Sequence, residues 1–525
     1  MPHSGSSDGL QGWRLGLVYL GLAALVVIPI LSVQVPLLGD TPNHLARIHI
    51  LENLRAGGTM THFYQRPPHL VPYQAMDVVV GWLRPWLPLY VAGRVFLALC
   101  LLMPVTAAAA LRWAALGRIG LMPAAAFLLS YNYLIARGLL DYMFAAGLAV
   151  LLFALWLRLA TWPRFRRAAL CGLLLAVVFL AHAFAGVAYC ILIAGDQLGR
   201  AAQTRFQPRR TLLLDWLAAA AQTIPCLILA VGFGATGHFG AAADTFYGTP
   251  ADKIGAALTP VFFPAPAPII ALFALLPLAA LAAAWALRVR IAPPLLAPAI
   301  VLALAAAAAP KVLFNAWATD MRLPILLAIL LIAGAAATRP ISQRAITLSA
   351  AAIVLLVALR AGCAFVLLQA LDIQASEIRG LLLALPPGSR LLVVDPNDPS
   401  GPLRVTQTVF TGHAGLLATI DRDAFVPFLL TEATPIEVRP ALQGAASPNS
   451  RTITPQQLRD GATRQDPPGG PPPYGHGGHI YWLGWPRKFD HVLVMHFGAD
   501  IGPLPPRLRE IAAVPIATLY RVTSK

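Results

Sequence analysis

Long apolar segments recur along the first two-thirds of the chain, beginning with residues 15–34. Each is close to the roughly 20 residues that an α-helix needs to cross a bilayer. Hydrophobic residues make up 58% of the sequence and charged residues only 12%, which is about half the charged fraction of an average soluble domain. Because exposed backbone polar groups are too costly in lipid, these segments must form membrane helices.

The net charge of +16 comes mostly from arginine, which is concentrated in a few short loops between the apolar segments. Cytoplasmic loops of membrane proteins are enriched in Lys and Arg, so these loops are predicted to face the cytoplasm. The chain is then a multi-pass protein of the inner (plasma) membrane, with its N-terminus cytoplasmic and its C-terminal part extracytoplasmic. Basic patches interleaved with aromatic residues are absent from the sequence, so the charge does not indicate a nucleic-acid partner.

With the arginine-rich loops placed on the cytoplasmic side, the sequence predicts about eleven membrane spans. The segment 168–198 is too long for one span and carries His182 at its middle, so it is predicted to form two helices joined near the outer surface. The predicted spans comprise residues 15–34, 89–111, 119–135, 139–158, 168–181, 184–198, 212–232, 266–287, 291–309, 323–337 and 345–370. The polar outer loops are residues 35–88, 131–141, 233–265 and 311–322.

The composition changes near residue 375, where the long apolar segments end. Three short apolar runs, at 391–395, 491–495 and 517–522, are typical of buried strands. Residues 506–513 are predicted to form a helix, and the Pro- and Gly-rich segment 466–478 a mobile loop. The predicted fold is therefore mainly α: a helical membrane domain (1–374) followed by a small extracytoplasmic α/β domain (375–525).

The first outer loop begins with a polar helical pattern. Asp40, His44 and Arg47 are spaced i, i+4 and i+7, so they share one face of a helix. Apolar residues occupy the other face, which predicts an amphipathic helix in the membrane interface that ends at Gly57. Because Asp-Thr-Pro is also a good helix start, the spacing alone leaves capping and catalysis equally open for Asp40.

This order of elements resembles the GT-C glycosyltransferases, including the dolichyl-phosphate-mannose mannosyltransferase-like families. These membrane enzymes take a sugar from a polyprenyl-phosphate carrier. The resemblance rests on Asp40, the following helix to about Leu54, Trp86-Leu87-Pro88, Ala92-Gly93-Arg94, the helix pair within 168–198 and the strand Phe489-Asp490-His491-Val492-Leu493-Val494. Many members carry a second acidic residue, whereas here Thr41 follows Asp40 and the best second position is Asp141.

The resemblance implies an integral membrane glycosyltransferase (a hexosyl- or pentosyltransferase) that acts at the outer membrane face on a glycan, lipid or protein acceptor. Asp40 would be the catalytic carboxylate, as general base or as ligand of a divalent cation (Mg or Mn). An Arg fork matches phosphate oxygens, which suits Arg322. The predicted substrate-binding residues are His44, Arg47, Asn132, Arg137, Asp141, His182, His238, Lys253 and Arg322.

Several of these residues also have a simpler structural interpretation. Arg322 suits an interfacial anchor equally well, and His182 is more often a structural histidine. Arg137 and Asp141 stand four residues apart, which favours a simple ion pair. A transporter, a lipid flippase and a non-catalytic membrane scaffold are the alternative functions. Transporters often show repeated halves and polar groups near the bilayer midplane, and the sequence shows neither.

Overall fold

The computed structural model describes residues 12–68, 71–232, 245–313, 316–396, 410–431, 434–447, 451–464 and 480–523. The chain divides into two compact units. The helical unit comprises Met1–Ser32, Pro72–Ala75 and Val95–Val366. The sheet unit comprises Val33–Val71, Met76–Arg94 and Leu367–Lys525. Most of the predicted outer loop 35–88 therefore belongs to the same unit as the C-terminal part.

The described residues are mainly helical. In chain order the α-helices are α1 (Gly12–Leu31), α2 (Thr41–Ala56), α3 (Ala75–Leu83), α4 (Leu89–Leu116), α5 (Tyr133–Ala136), α6 (Leu140–Arg158), α7 (Arg164–Ala181), α8 (Ala183–Gln203), α9 (Arg209–Ala221), α10 (Ile224–Gly232), α11 (Pro250–Leu258), α12 (Ala267–Ala286), α13 (Pro293–Ala308), α14 (Thr319–Gly334), α15 (Gln343–Leu382), α16 (Leu417–Arg422) and α17 (Pro455–Thr463). In the described part of the chain, six helical segments are long and apolar enough to cross a membrane. The chain is a multi-pass membrane protein.

The predicted break at His182 is present. Helix α7 ends at Ala181 and α8 begins at Ala183, with His182 extended between them at φ −165°. The predicted span 119–135 is wrong as one α-helix, because Met122–Leu129 forms a 3₁₀ helix. Asn132 then starts α5, since its side chain accepts hydrogen bonds from the N–H groups of Leu134 and Ile135. The count of eleven spans stays a prediction.

Close helix packing orders the helical unit. Helix α8 packs against α13, and α13 packs against α14. A Cβ at Gly195 of α8 would lie 2.5 Å from the Cα of Pro298 in α13, so this approach requires glycine. The Tyr142 hydroxyl of α6 donates to the Arg322 carbonyl at 2.6 Å. These contacts fix the first turn of α14 beside α6.

The strands of the described residues are short. They are β1 (Tyr64–Gln65), β2 (Val289–Ile291), β3 (Val312–Leu313), β4 (Ala316–Trp317), β5 (Ala335–Ala337), β6 (Leu391–Val394), β7 (Glu437–Val438), β8 (His491–Met495), β9 (Leu508–Val514) and β10 (Ala517–Val522). In the sheet unit, four strands form a mixed sheet in the order β6-β8-β10-β9. Strands β6 and β8 are parallel, and the other two pairs are antiparallel.

The sheet contains all three predicted strands, in β6, β8 and β10. The helix predicted for 506–513 is wrong, because Leu508–Val514 forms strand β9. Val514 pairs with Ala517 across a two-residue turn, so β9 and β10 form a hairpin whose backbone hydrogen bonds replace those of a helix. The predicted mobile loop 466–478 lies outside the described residues.

Helix α2 forms as predicted and ends at Gly57, which adopts φ 70° and donates its N–H to Asn53. The exposed polar face predicted for this helix is wrong, whereas its placement in the membrane interface stays a prediction. His44 and Arg47 are buried, as are Leu45 and Ile48 on the other face. The reason is tertiary: α16 and the 3₁₀ turn that precedes it pack against α2 within the sheet unit.

Candidate functional site

Asp40 lies at the N-terminus of α2, directly after Gly39, which adopts φ 40°. Its backbone carbonyl accepts the His44 N–H at 3.0 Å, as in any first helical turn. Its side chain makes no capping hydrogen bond. Instead, Oδ1 lies 2.9 Å from Nδ1 of His413. The carboxylate is therefore directed at an imidazole rather than at the helix N–H groups, which argues against the capping interpretation.

His413 comes from the C-terminal part of the chain, immediately before the 3₁₀ turn Ala414–Leu416. Its ring stacks on Phe428, with ring centroids 5.9 Å apart and an interplanar angle of 21°. The side chains of His413 and Asp40 are 22% and 30% exposed. The pair is held in place yet reachable from solvent. Sequence reasoning missed His413, because no local spacing relates it to Asp40.

Further contacts hold the start of α2 in position. The Leu430 N–H donates to the side-chain oxygen of Asn43 at 3.1 Å, which ties the first turn of α2 to the segment that carries Phe428. His49 Nε2 lies 2.7 Å from an oxygen of Asp423. These bonds restrict the position of Asp40 relative to His413.

Arg47, one of the predicted substrate contacts, takes part in a buried ion pair. Its Nε lies 2.9 Å from Oδ1 of Asp77 in α3, and the two side chains are only 2% and 7% exposed. Burial raises the pKa of Asp77, and the Arg47 charge opposes that rise. The pair joins α2 to α3 and accounts for the Arg47 charge without a substrate.

A second cluster lies in the helical unit around Arg322, in the first turn of α14. The guanidinium is buried, and its carbon lies 5.6 Å from the ring centre of Tyr142 and 5.4 Å from that of Phe184. Nη2 donates to the Trp317 carbonyl at 3.2 Å. Within the described residues, Nε has no hydrogen-bond partner and no carboxylate pairs with the guanidinium. Arg322 is thus a desolvated cation among aromatic rings.

Arg137 ends α5 and approaches the same tryptophan. Its guanidinium carbon lies 4.7 Å from the ring centre of Trp317. The predicted ion pair with Asp141 is wrong: Gly138, at φ 75°, separates α5 from α6, so the i, i+4 spacing does not lie on one helix. Across the residues that the structure describes, Arg137 pairs with no carboxylate.

His182 belongs to the cluster around Arg322. Its ring is 4.5 Å from that of Tyr73 and 5.2 Å from that of Tyr142, edge-on in both cases. The Gln74 N–H donates to the Leu180 carbonyl at 3.2 Å, which fastens the Tyr73 segment to the end of α7. The sequence indicated His182 and Arg322 but not Tyr142, whose ring contacts both.

The remaining predicted substrate-binding residues differ in their contacts and burial. Lys253 pairs with the fully buried Asp320 at 3.1 Å and also donates to the Ala309 carbonyl. Asn132 is buried as the cap of α5, and Asp141 is buried in the first turn of α6. His238 lies outside the described residues.

The prediction of a divalent cation was tied to Asp40. Asp40 and His413 together supply two donor side chains of a kind that metals accept. No group of three or more His, Cys, Asp or Glu residues in the described ranges is arranged to hold a metal ion. The described residues therefore do not form a complete metal site.

Comparison with solved structures identifies the fold. The chain is similar to the crystal structure of ArnT from Cupriavidus metallidurans bound to undecaprenyl phosphate, a GT-C glycosyltransferase. The TM-score is 0.53, and the similarity covers 97% of this chain and 98% of ArnT at 12% sequence identity. No family model and no curated protein matches the chain. The GT-C-like helical membrane fold predicted from the sequence is confirmed.

Proposed function

We propose that this GT-C-fold protein is an integral membrane glycosyltransferase. It moves a sugar from a polyprenyl-phosphate carrier to an acceptor hydroxyl at the extracytoplasmic face of the membrane. The observation that carries the proposal is the Asp40 carboxylate, which faces His413 instead of capping its helix. The likeness to ArnT, whose structure holds undecaprenyl phosphate, supports the carrier lipid as a partner.

The proposed chemistry begins with the acceptor. Its hydroxyl oxygen attacks the anomeric carbon while the bond from that carbon to the carrier phosphate breaks. The hydroxyl proton passes to the Asp40 carboxylate, which acts as general base. Donation from His413 Nδ1–H to Oδ1 holds the carboxylate in one orientation, so that little reorganisation is needed during proton transfer.

The leaving group is a lipid phosphate, whose negative charge grows as the bond breaks. Arg322 and Arg137 both lack a carboxylate partner among the described residues, and both contact Trp317. Guanidinium groups match phosphate oxygens in geometry and charge. Since the aromatic rings around Arg322 exclude water, its attraction for an anion is stronger than that of an exposed arginine.

The test compares Asp40→Asn with Asp460→Asn in membranes that contain equal amounts of folded protein. Asp460 is a partly exposed residue of α17 whose carboxylate accepts a hydrogen bond from the nearby Gln456 side chain, and it serves as the matched control. The probes are undecaprenyl-phosphate-linked sugars, offered with an envelope extract as acceptor, and the readout is released undecaprenyl phosphate by mass spectrometry. We expect release by the wild type and by Asp460→Asn, but not by Asp40→Asn.

Three results would redirect the assignment. Full release by Asp40→Asn would remove Asp40 from catalysis. Uptake of the lipid-linked sugar into sealed vesicles that survives Asp40→Asn would favour a transporter or flippase. A phenotype lost only on deletion of the C-terminal part would favour a scaffold.

A further inference from the structure

A cavity of about 410 Å³ opens in the helical unit between the end of α6, the start of α7, the last turns of α8 and the second half of α9. Its polar lining includes Arg164, Arg167, Gln197, Arg200 and Asp215. Helix α6 has 19 residues and is therefore about 28 Å long at 1.5 Å per residue. Arg137 precedes the other end of α6. The cavity is therefore remote from the arginines of the proposed carrier site and takes no part in it.

Arg167 is the most buried cation of the cavity and is only 6% exposed. Its Nε and Nη2 donate to the Trp156 carbonyl at 2.9 and 2.5 Å, and the guanidinium lies over the Trp156 ring. Nη1 has no hydrogen-bond partner among the described residues. The side chain is thus fixed by the protein while one donor group remains for a ligand.

The charges of the cavity do not cancel. Arg164 pairs with Asp215 at 3.2 Å, and Arg200 pairs with Asp196 at 2.9 Å. Asp196 is further occupied by the indole N–H of Trp156 at 2.8 Å. Three arginines against two carboxylates leave one positive charge, which belongs to Arg167.

The start of α7 adds to this positive field. Pro163 occupies the N-cap position and supplies no capping side chain, so the first-turn N–H groups of this 18-residue helix lack a side-chain acceptor. Both Pro163 and Arg164 line the cavity. A helix N-terminus favours an anion through these N–H groups and through its dipole.

We propose that this cavity binds a phosphate group through Arg167, Arg164 and the first turn of α7. Its volume lies within the roughly 300–1,000 Å³ of ordinary ligand sites. Trp162 and Phe165 beside it are 48% and 58% exposed, as expected of aromatic residues at the level of lipid headgroups. The phosphate can therefore belong to an anionic lipid headgroup or to a soluble phosphate, which present the same anion to the arginines.

The test uses the purified full-length protein with two probes, phosphatidylglycerol and inorganic phosphate. Retained phosphatidylglycerol is counted by native mass spectrometry against phosphatidylcholine, and inorganic phosphate is titrated calorimetrically. The variants are Arg164→Gln and Arg167→Gln. Arg166→Gln is the matched control, because Arg166 is exposed and does not line the cavity. Thermal unfolding checks that each variant is folded. If Arg167→Gln does not fold, the comparison uses Arg164→Gln alone.

We expect binding to weaken about tenfold in Arg164→Gln and Arg167→Gln, the loss typical of one charge-assisted hydrogen bond, and to stay unchanged in Arg166→Gln. An effect confined to phosphatidylglycerol identifies a lipid headgroup, and an effect on inorganic phosphate identifies a soluble ligand. Equal affinity in all four proteins, or no binding of either probe to the wild type, overturns the proposal.

Discussion

The contact between His413 and Asp40 can be dissected with three substitutions. His413→Ala removes both the hydrogen bond to Asp40 and the stacking on Phe428. His413→Phe retains the stacking alone. His413→Asn retains a side-chain N–H near the position of Nδ1 and loses the stacking. If His413 acts by orienting the base, only the variants without an N–H should lose turnover.

The size of the effect follows from the exposure of the pair. A hydrogen bond to a charged group contributes about 1.5–3 kcal/mol. With side chains 22% and 30% exposed, solvent screening places this contact at the lower end of that range. A loss of about 1.4 kcal/mol in the transition state corresponds to a tenfold lower rate. We therefore expect kcat to fall about tenfold in His413→Phe and His413→Ala.

The assay is release of undecaprenyl phosphate over a range of donor concentrations, which separates kcat from KM. Positioning of the base should lower kcat and leave KM nearly unchanged. His413→Asn should retain most of the wild-type kcat. Wild-type turnover in His413→Phe, or the same loss in His413→Asn as in His413→Ala, would refute a role through the hydrogen bond.

Three other predictions follow from individual contacts. Asp77→Ala leaves the Arg47 charge buried without its partner and should destabilise the protein by about 3–5 kcal/mol; a melting temperature equal to the wild type would contradict this. Arg322→Ala should abolish binding of undecaprenyl phosphate, measured by native mass spectrometry, whereas Arg290→Ala, at an exposed position of β2, should not. Lys311 and Thr249 hold the pKa of Asp252 below its ordinary value of 3.8. The contacts that these residues make with α11 are therefore fully present above that value and weaken as the pH falls through the lowered pKa. Hydrogen-exchange protection of residues 250–258, relative to an unstructured peptide at the same pH, should fall in acid and should be low at every pH in Asp252→Asn.

Local signals in the chain were enough to predict most of its long helices and three of the four strands of the mixed sheet. The length of the apolar segments specifies membrane helices, because lipid leaves the backbone no other partner. Likewise, α2 begins at Asp-Thr-Pro, with proline in its first turn, and ends at Gly57 in the left-handed conformation. Such features depend on neighbours in the sequence and can be read without knowledge of the fold.

Features that depend on contacts with residues distant in the sequence could not be predicted from local patterns. Residues 508–514 became a strand because β10 offered backbone hydrogen bonds. The turn at Gly138 separated Arg137 from Asp141, and Trp317 then supplied a partner for the arginine. In each case a tertiary contact outweighed the local pattern.

The sequence by itself determined that this is a helical membrane protein and that Asp40 begins a helix after the first span. Only the tertiary structure decided what the Asp40 carboxylate faces. Asp-Thr-Pro starts a helix whether or not its carboxylate caps the first turn, so the sequence leaves the direction of that carboxylate open. The packing of the His413 segment against α2 makes the choice, and it brings the Asp40 carboxylate and the His413 imidazole together from distant parts of the chain.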